Sequence, residues 1–478
     1  MSKYTLVIFG ASGDLTKRLL MPSLISLYKT NKLAEKFTII GVSRTKFSDE
    51  EYREKLKNDL ANNKYDEKLL NNFLSHIYYQ PIDTADPEDY SLVNIKLKSI
   101  NKNLDKNNIL FYLSTPPILY KTIVKNLSSV GLNQEKDGWK RFIIEKPFGY
   151  DLSSAIDLNK ELAKDLNEDQ IYRIDHYLGK EAVQNLIVTR FANPIFETIW
   201  DNKHIDYIEI TSAESIGVEK RGGYYDNAGA MRDMLQNHIL QTLAIFTMEA
   251  PQKMDANGIR DQITALIKNI KIFNEKDLNT NLVLGQYSEN SNNDQKLPGY
   301  LDEEGIAKDS KTETFIALKL NIQNKRWSDT PIYIRIGKRL PKKLAEITIH
   351  FKENQNSLFK NSARNSLIFE IQPDASLSFK FNLKEPGEGF NTREGCLDFA
   401  YSSIEKTTHL MLGYERLIFD ALKGDATLFT RSDTIEACWS FVQPIIDYKN
   451  NNPKVYQYPC WSWGPKESDN LLKTIIER

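Results

Sequence analysis

The sequence predicts two domains: an α/β amino-terminal domain on a doubly wound parallel sheet, and a larger α+β carboxy-terminal domain with a mainly antiparallel sheet. Three observations support this prediction. Strand and helix patterns alternate over residues 1–175, as in parallel sheets covered by helices. Within residues 176–478, apolar side chains recur at every second position between 314 and 383. A chain of 478 residues also exceeds what one hydrophobic core usually covers.

The composition excludes several classes of function. Hydrophobic residues make up 41% and charged residues 27% of the chain, as in ordinary globular proteins. A net charge of -1 gives no general attraction to nucleic acid or anionic lipid, and no apolar run suits a membrane helix. Cys396, Cys438 and Cys460 are scattered, which predicts reduced thiols and no zinc site. We therefore expect a cytoplasmic protein without a metal, a membrane or nucleic acid as partner.

The first element is a short apolar strand, residues 4–9, followed by a glycine loop and a helix over residues 21–28. This order is typical of a Rossmann-type dinucleotide loop, in which small residues and free helix N–H groups approach a pyrophosphate. The GxxGxxx spacing differs from GxGxxG, so a plain glycine turn is the alternative. The candidate cofactor-binding residues are Gly10, Ala11, Ser12, Gly13, Asp14, Leu15, Thr16 and Lys17.

The second strand, residues 37–42, leads to Arg44. In dinucleotide-binding folds an acidic residue near this point binds a free 2′-hydroxyl, whereas an arginine accommodates a 2′-phosphate. Arg44 therefore favours NADP. A solvated surface arginine is the alternative, and NAD is compatible with Arg44 because a guanidinium also stacks on adenine.

Two later strands, residues 109–113 and 141–144, end in polar turns at the sheet edge where ligands gather. Lys146 follows the second of them and precedes Pro147, whose ring restricts the lysine backbone. We expect its ammonium to face the nicotinamide or the substrate, with a surface lysine as the alternative. The sequence leaves the isomer of the Lys146–Pro147 bond open.

The strand over residues 170–174 carries Asp175 and His176 to the same edge, and Tyr177 and Lys180 follow closely. An acid, an imidazole, a phenol and an ammonium thus lie within six residues. A helix is predicted over residues 180–190. If His176 and Lys180 are both helical, they share a face and offer two cationic donors to a phosphate.

In the second half, a strand over residues 207–213 ends at Glu214, and a long helix over residues 231–248 carries Asp233 and His238. A lone histidine on a helix is more often structural than catalytic. The polar neighbours of His238 on an otherwise apolar helix favour the catalytic interpretation.

Residues 221–226 predict a glycine turn, and residues 287–309 predict a mobile loop. Residues 335–343 form a basic turn with Lys338 and Lys343, either a solvated charge run or a phosphate patch. The predicted strands here are residues 314–320, 331–337, 346–351, 366–371 and 377–383, and helices are predicted over residues 414–423 and 432–448.

Five stretches agree in order and spacing with one family: Arg-Ile-Asp-His-Tyr-Leu-Gly-Lys-Glu (173–181), Glu-Lys-Pro-Phe-Gly (145–149), Arg-Gly-Gly-Tyr-Tyr-Asp (221–226), Gly-Lys-Arg-Leu-Pro (337–341) and Tyr-Glu-Arg-Leu-Ile (414–418). On these motifs the chain resembles the glucose-6-phosphate dehydrogenases over nearly its whole length.

The resemblance implies oxidation of D-glucose 6-phosphate at C1 to 6-phospho-D-glucono-1,5-lactone with hydride transfer to NADP, the first step of the pentose phosphate pathway. It implies that His238 is the general base and that Asp175 orients its imidazole. The other implied roles are phosphate binding by His176, Tyr177 and Lys180, contact with nicotinamide and sugar by Lys146, contact with sugar hydroxyls by Glu214 and Asp233, proximity to the substrate for Lys338 and Lys343, and binding of the NADP phosphates by Arg44 and residues 10–17.

The resemblance further implies a homodimer or homotetramer built partly on the large sheet. Thr45 follows Arg44 where members of the family differ, so strict NADP use and dual use with NAD both stay open. Glu370 stands near the place where some animal members carry a basic residue for a second, structural NADP, which argues against that site.

The residue types suit this chemistry by themselves. A base with a pKa near neutral is best placed to accept a hydroxyl proton, and a carboxylate fixes the histidine tautomer. The hydride chemistry belongs to the cofactor, so no metal is needed. The alternatives are another NAD(P)-linked sugar oxidoreductase with a Rossmann domain, which leaves Asp175–Lys180 unexplained, and a non-catalytic NADP sensor, which would not need Asp175 and His238.

Overall fold

The computed structural model describes residues 3–100, 107–292, 295–353, 358–359, 362–405, 411, 413–452 and 454–471. The chain divides into two compact units that interleave along the sequence. Unit 1 comprises Met1–Gly179, Lys253–Arg260 and Met411–Glu436, and unit 2 comprises Lys180–Gln252, Asp261–Leu410 and Ala437–Arg478. The predicted boundary between residues 175 and 176 stays a prediction about functional domains.

The strands of the described residues are, in chain order, β1 (Tyr4–Phe9), β2 (Phe37–Ser43), β3 (Ile77–Pro81), β4 (Ile109–Leu113), β5 (Lys140–Ile144), β6 (Ile171–Ile174), β7 (Ile205–Ala213), β8 (Leu282–Ser288), β9 (Asn290–Asn292), β10 (Gln295–Leu297), β11 (Phe315–Leu320), β12 (Ile332–Gly337), β13 (Leu344–Phe351), β14 (Ser366–Gln372), β15 (Ser376–Lys384), β16 (Thr392–Ala400), β17 (Phe429–Thr430) and β18 (Tyr456–Pro459).

The α-helices are α1 (Met21–Lys29), α2 (Asp49–Asp59), α3 (Glu67–Leu74), α4 (Tyr90–Ile100), α5 (Tyr120–Ser129), α6 (Leu152–Leu162), α7 (Glu181–Phe191), α8 (Pro194–Thr198), α9 (Gly222–Ala230), α10 (Leu240–Thr247), α11 (Ala256–Lys268), α12 (Glu275–Asn281), α13 (Ser402–Glu405), α14 (Gly413–Lys423) and α15 (Ser432–Asn451). Thr16–Leu20 and Met231–Ile239 wind as π-helices. Single 3₁₀ turns lie at Ala61–Asn63, Pro117–Leu119, Glu168–Gln170, Glu219–Arg221, Tyr300–Asp302 and Lys466–Ser468.

Unit 1 is built on one sheet in the order β17-β6-β5-β4-β1-β2-β3, in which β1 to β6 pair in parallel and β17 is antiparallel to β6. Every residue of β1 and β4 is buried, as expected for parallel strands covered on both faces. Side chains of α4, α5 and α6 complete the core on one face. The predicted doubly wound parallel sheet is confirmed.

Unit 2 is built on a sheet in the order β16-β15-β14-β13-β7-β12-β11-β8-β18. Its neighbouring strands are antiparallel except for the pairs β7–β12 and β8–β18. The predicted mainly antiparallel sheet is confirmed. Among the helices of the described ranges, none is both long and apolar enough to cross a membrane.

Two predictions of local structure are wrong. Residues 221–226 do not form a glycine turn, because α9 begins at Gly222. A Cβ on Gly222 would lie 2.0 Å from the Glu304 carbonyl oxygen, so this glycine permits close backbone packing. The prediction of a mobile loop over residues 287–309 is wrong for the described part, residues 287–292 and 295–309, in which β9 pairs with β10 and the side chains of Leu297 and Tyr300 are buried. The polar composition of this segment concealed its few apolar anchors.

Candidate active site

In unit 1 the predicted residues lie along one edge of the parallel sheet. The glycine loop follows β1, Arg44 follows β2, Lys146 follows β5 and Asp175 follows β6. Because these strands are parallel, their carboxyl ends share an edge, which is where ligands bind in open α/β sheets. The structure therefore brings these residues to the same side of the sheet.

The glycine loop has the shape of a phosphate cradle. Gly10 has a φ of 81°, and a Cβ there would lie 2.0 Å from the Ser114 carbonyl oxygen. The Gly13 N–H and the Thr16 hydroxyl both donate to the Gly10 carbonyl, at 3.0 and 3.1 Å. A tight turn thus leads into a helix N-terminus, whose N–H groups suit a pyrophosphate.

The charged side chains of this loop are engaged in ion pairs. Lys17 Nζ lies 2.8 Å from Asp59 Oδ1, and Arg18 pairs with Asp14 at 3.3 Å on the surface. The backbone of the loop, more than the ammonium of Lys17, is therefore the part shaped for phosphate.

Arg44 is exposed, and the residues before and after it in the chain carry hydroxyl groups that lie near Ser12. Ser43 Oγ donates to Ser12 Oγ at 2.9 Å, and Thr45 Oγ1 lies 3.5 Å from the same oxygen. A guanidinium beside several hydroxyls is a donor set that suits a phosphate monoester.

Lys146 lies next to a buried carboxyl group. The Lys146–Pro147 bond is cis, and Lys146 is half-buried. Glu145 is 8% exposed and accepts hydrogen bonds from the phenols of Tyr112 and Tyr414. Burial raises the pKa of Glu145 to about 7, although both phenols and the Lys146 ammonium act in the opposite direction.

Asp175, His176 and Tyr177 form a turn after β6. Asp175 Oδ1 accepts from the Tyr177 N–H at 2.9 Å, and the Asp175 carbonyl accepts from the Leu178 N–H at 3.1 Å. An aspartate that bonds the backbone two residues ahead favours a turn over a helix. The half-buried His176 ring is parallel to that of Tyr414, with 6.4 Å between centroids.

The condition under which His176 and Lys180 would share a helical face is not met. Lys180 precedes the first residue of α7 and has an extended backbone, with a ψ of 133°. Its ammonium donates to the side chain of Gln372 at 2.7 Å, within unit 2.

In unit 2, Glu214 and Lys338 lie side by side. They follow the parallel strands β7 and β12, which end together at the Ala213–Gly337 pair. The Lys338 ammonium contacts the Glu214 carboxylate and lies 5.1 Å from the centre of the buried Tyr225 ring. Lys343 is exposed just before β13.

Asp233 and His238 lie on the predicted long helix, in its first part, which winds as the π-helix Met231–Ile239 before continuing as α10. Both side chains are buried within this helix. They are 6% and 1% exposed. Short π-helical segments are frequent at functional sites.

The comparisons with known proteins cover both units. The sequence model of the glucose-6-phosphate dehydrogenase NAD binding domain matches residues 7–185, and that of the glucose-6-phosphate dehydrogenase C-terminal domain matches residues 187–476.

The chain belongs to the glucose-6-phosphate dehydrogenase family.

Relatives and solved structures agree with this assignment. The glucose-6-phosphate 1-dehydrogenase of Aggregatibacter actinomycetemcomitans is 48% identical, covering 98% of this chain and 95% of that protein. That of Bacillus subtilis is 41% identical, covering 98% and 96%. A glucose-6-phosphate dehydrogenase solved with glucose 6-phosphate has a TM-score of 0.92 at 36% identity, covering 98% and 96%. The enzyme from Mycobacterium avium has a TM-score of 0.84 at 33% identity, covering 98% and 97%.

Family membership confirms the resemblance seen in the motifs, whereas the individual site residues stay predictions. Sequence reasoning missed five side chains that surround the predicted residues. Glu145, Tyr225 and Tyr414 lie inside stretches quoted for the family resemblance, whereas no local pattern marked Tyr112 or Gln372. The missed residues are Tyr112, Glu145, Tyr225, Gln372 and Tyr414.

Proposed function

We propose that this chain oxidises D-glucose 6-phosphate at C1 to 6-phospho-D-glucono-1,5-lactone, with NADP as the hydride acceptor. The observation that carries the proposal is the full-length similarity to a dehydrogenase solved with glucose 6-phosphate. In this proposal, the sheet edge of unit 1 would bind the cofactor and polar side chains of unit 2 would contribute to binding the sugar phosphate.

The donors of unit 1 suit NADP. Residues 10–17 would hold the pyrophosphate through backbone N–H groups, and Arg44, Ser12 and Thr45 would hold the 2′-phosphate. When bound, the cofactor supplies the nicotinamide carbon that accepts the hydride. Lys146 would contact nicotinamide and sugar.

The substrate roles follow from charge and position. His176, Tyr177 and Lys180 would bind the substrate phosphate, and Lys338 and Lys343 would add positive charge near the sugar. Glu214 and Asp233 would accept hydrogen bonds from sugar hydroxyls. Binding a phosphate remote from C1 orients the reacting carbon.

His238 would accept the C1 hydroxyl proton as the hydride leaves. Asp175 would fix the tautomer of that imidazole and stabilise its protonated form. In His238→Asn we expect kcat to fall by roughly 10²–10⁴-fold, the usual contribution of general-base catalysis, with a smaller change in KM. Steady-state kinetics measure both constants, and a near-normal kcat would remove His238 from this role.

The direct test of the function is NADPH formation from NADP and glucose 6-phosphate, with NAD and with unphosphorylated glucose in parallel. We expect NADP and the phosphorylated sugar to be preferred. Another sugar oxidoreductase would gain nothing from the substrate phosphate. An NADP sensor would bind the cofactor without turnover.

We also propose a homodimer or homotetramer that uses the outer strands of the unit 2 sheet. Residues paired across β15 and β16 place Leu377, Phe379, Phe381, Leu397 and Phe399 on one face. Leu397 is 63% and Phe399 41% exposed. An apolar face of this kind favours association, and light scattering measures the mass of the assembly.

A further inference from the structure

Two buried tyrosines lie beneath the loops assigned to NADP in unit 1. Tyr79 belongs to β3 and Tyr52 to α2, and they are 2% and 0% exposed. Their ring centroids are 4.5 Å apart. Each phenol oxygen reaches a different loop, so the two side chains have separable effects.

Tyr79 supports the turn that contains Arg44. Its hydroxyl donates to the Thr45 carbonyl at 2.7 Å and lies 2.7 Å from Ser43 Oγ. Ser43 Oγ in turn bonds Ser12 Oγ at 2.9 Å. One phenol therefore holds the backbone on one side of Arg44 and a serine hydroxyl on the other.

The pairing of the strands places the phenol here. β2 and β3 are parallel, and Tyr79 lies opposite Gly41, two residues before Ser43. The long side chain thus reaches along the sheet to the residues that follow β2. The Phe47 ring packs against the Tyr79 ring in a T-shaped arrangement, with 5.6 Å between centroids, which restricts the position of Tyr79 further.

Tyr52 supports the glycine loop instead. Its hydroxyl donates to the Ala11 carbonyl at 3.0 Å. A Cβ on Gly41 would lie 2.8 Å from the Tyr52 ring, so that glycine provides the room for it. Ala11 lies in the pyrophosphate cradle, a part of the site that NAD and NADP would use alike.

We propose that Tyr79 is a positioning residue for cofactor selectivity, which holds Arg44 and the hydroxyls of Ser12, Ser43 and Thr45 in place for a 2′-phosphate. This inference rests on the proposed binding of NADP at Arg44. Arg44 is exposed and its long side chain loses rotamer freedom when it binds, so a fixed backbone lowers the cost of binding. NAD lacks the 2′-phosphate, so its binding gains nothing from the fixed position of these groups.

The test measures dissociation constants of NADP and NAD by titration calorimetry on the full chain, without sugar. Tyr79→Phe removes a hydroxyl and leaves the Thr45 carbonyl without this donor. We expect it to weaken NADP binding about 3- to 10-fold, as for the loss of one or two hydrogen bonds, and NAD binding less than about 2-fold. Tyr52→Phe should weaken both cofactors by the same factor.

Tyr78→Phe is the matched control, because Tyr78 precedes Tyr79 on β3 and points to the opposite face of the sheet, where Arg53 and Lys96 lie near its half-buried ring. It should leave both constants unchanged. If Tyr79→Phe does not fold, as judged by its Tm, Ser43→Ala serves as the second variant. It removes the hydroxyl that lies between those of Tyr79 and Ser12, and it should show the same selective loss of NADP binding.

Equal weakening of both cofactors by Tyr79→Phe, or no weakening of either, would overturn the inference. The proposed reaction is tested separately, because selectivity in binding is measured without glucose 6-phosphate. If the chain binds NADP selectively but does not oxidise glucose 6-phosphate, the proposed reaction is refuted and the role of Tyr79 is not. If the native chain binds NADP no more tightly than NAD, or if Arg44→Ala leaves the ratio unchanged, the cofactor assignment and the role of Tyr79 both fail.

Discussion

Glu145 has a buried carboxyl whose pKa lies near neutral, because burial disfavours its charged form. In the unfolded chain this group ionises near its ordinary 4.5, whereas in the folded protein it keeps its proton to about pH 7. The folded state therefore binds more protons over this interval. By linkage, this one group lowers the stability of the protein as pH rises from about 4.5 to about 7.

Glu145→Gln should remove that pH dependence, since an amide does not ionise and still accepts from a tyrosine hydroxyl. Relative to the native chain, we expect the free energy of unfolding of the variant to rise by on the order of 2–3 kcal/mol between pH 5 and pH 8. Denaturant midpoints of both proteins at the two pH values measure this difference. A difference that stays constant with pH would show that Glu145 is already ionised at pH 5.

At the scale of residues, the sequence predicted the positions of the candidate site residues that directly follow strands. Gly10, Arg44 and Asp175 each come after an apolar run, which is a local signal readable without a structure. The phenols that hold Glu145 were not predictable in this way. Tyr112 lies within the buried strand β4 and Tyr414 in a late helix, and only the folded chain brings them together.

At the scale of elements, the π-helix Met231–Ile239 begins at a buried carboxylate. Glu313 is fully buried; its Oε1 accepts from the Met231 N–H at 3.0 Å, and its carbonyl accepts from the Ala230 N–H at 3.0 Å. Gly229 has a φ of 64°, and a Cβ there would lie 2.3 Å from that carboxylate. Negative charge at a helix N-terminus is favourable. Glu313 thus supports the helix that carries Asp233 and His238.

Glu313→Gln should destabilise unit 2, because it keeps an acceptor for Met231 but leaves the ammonium of Lys449, 14% exposed, without its carboxylate. Breaking a buried ion pair from one side costs about 3–5 kcal/mol. Adding Lys449→Met should recover part of the loss, since no buried charge is then left unpaired. Melting temperatures of the two variants test this, and an equal Tm for Glu313→Gln and the native chain would contradict it.

The elements were predicted unequally. Most strands of the unit 2 sheet were visible as alternating patterns, and β1, β2 and β4 as apolar runs. The π-helical winding was not predicted, because it shifts hydrogen bonds by one residue without changing the composition of the helix. β3, α4 and α5 were missed as well.

At the scale of the whole molecule, the chain order does not reproduce the compact units. Residues 253–260 and 411–436 belong to unit 1 although they follow the first part of unit 2. Alternation of strands and helices predicts where a parallel sheet begins and ends, but not which later segments return to it. The short β17, which adds to the unit 1 sheet beside β6, is such a segment.

The assembly can be tested on a single strand with two different faces. Along β16, Leu397 and Phe399 point to the apolar side, whereas Glu394 lies on the polar side opposite Asn382. Leu397→Lys should lower the mass measured by light scattering to that of a smaller species, because a lysine in an apolar interface loses its hydration. Leu397 is 63% exposed in the single chain, so the substitution should change the stability of the individual subunit little.

Glu394→Lys is the matched control, with the same new side chain on the opposite face of the strand. The ion pair of Glu394 with Lys380, at 3.6 Å, is exposed and contributes little to stability. This variant should keep the native mass. If Leu397→Lys also kept that mass, the subunits would associate through another surface, whereas a loss of mass in both variants would indicate that charge on the strand matters more than its apolar face.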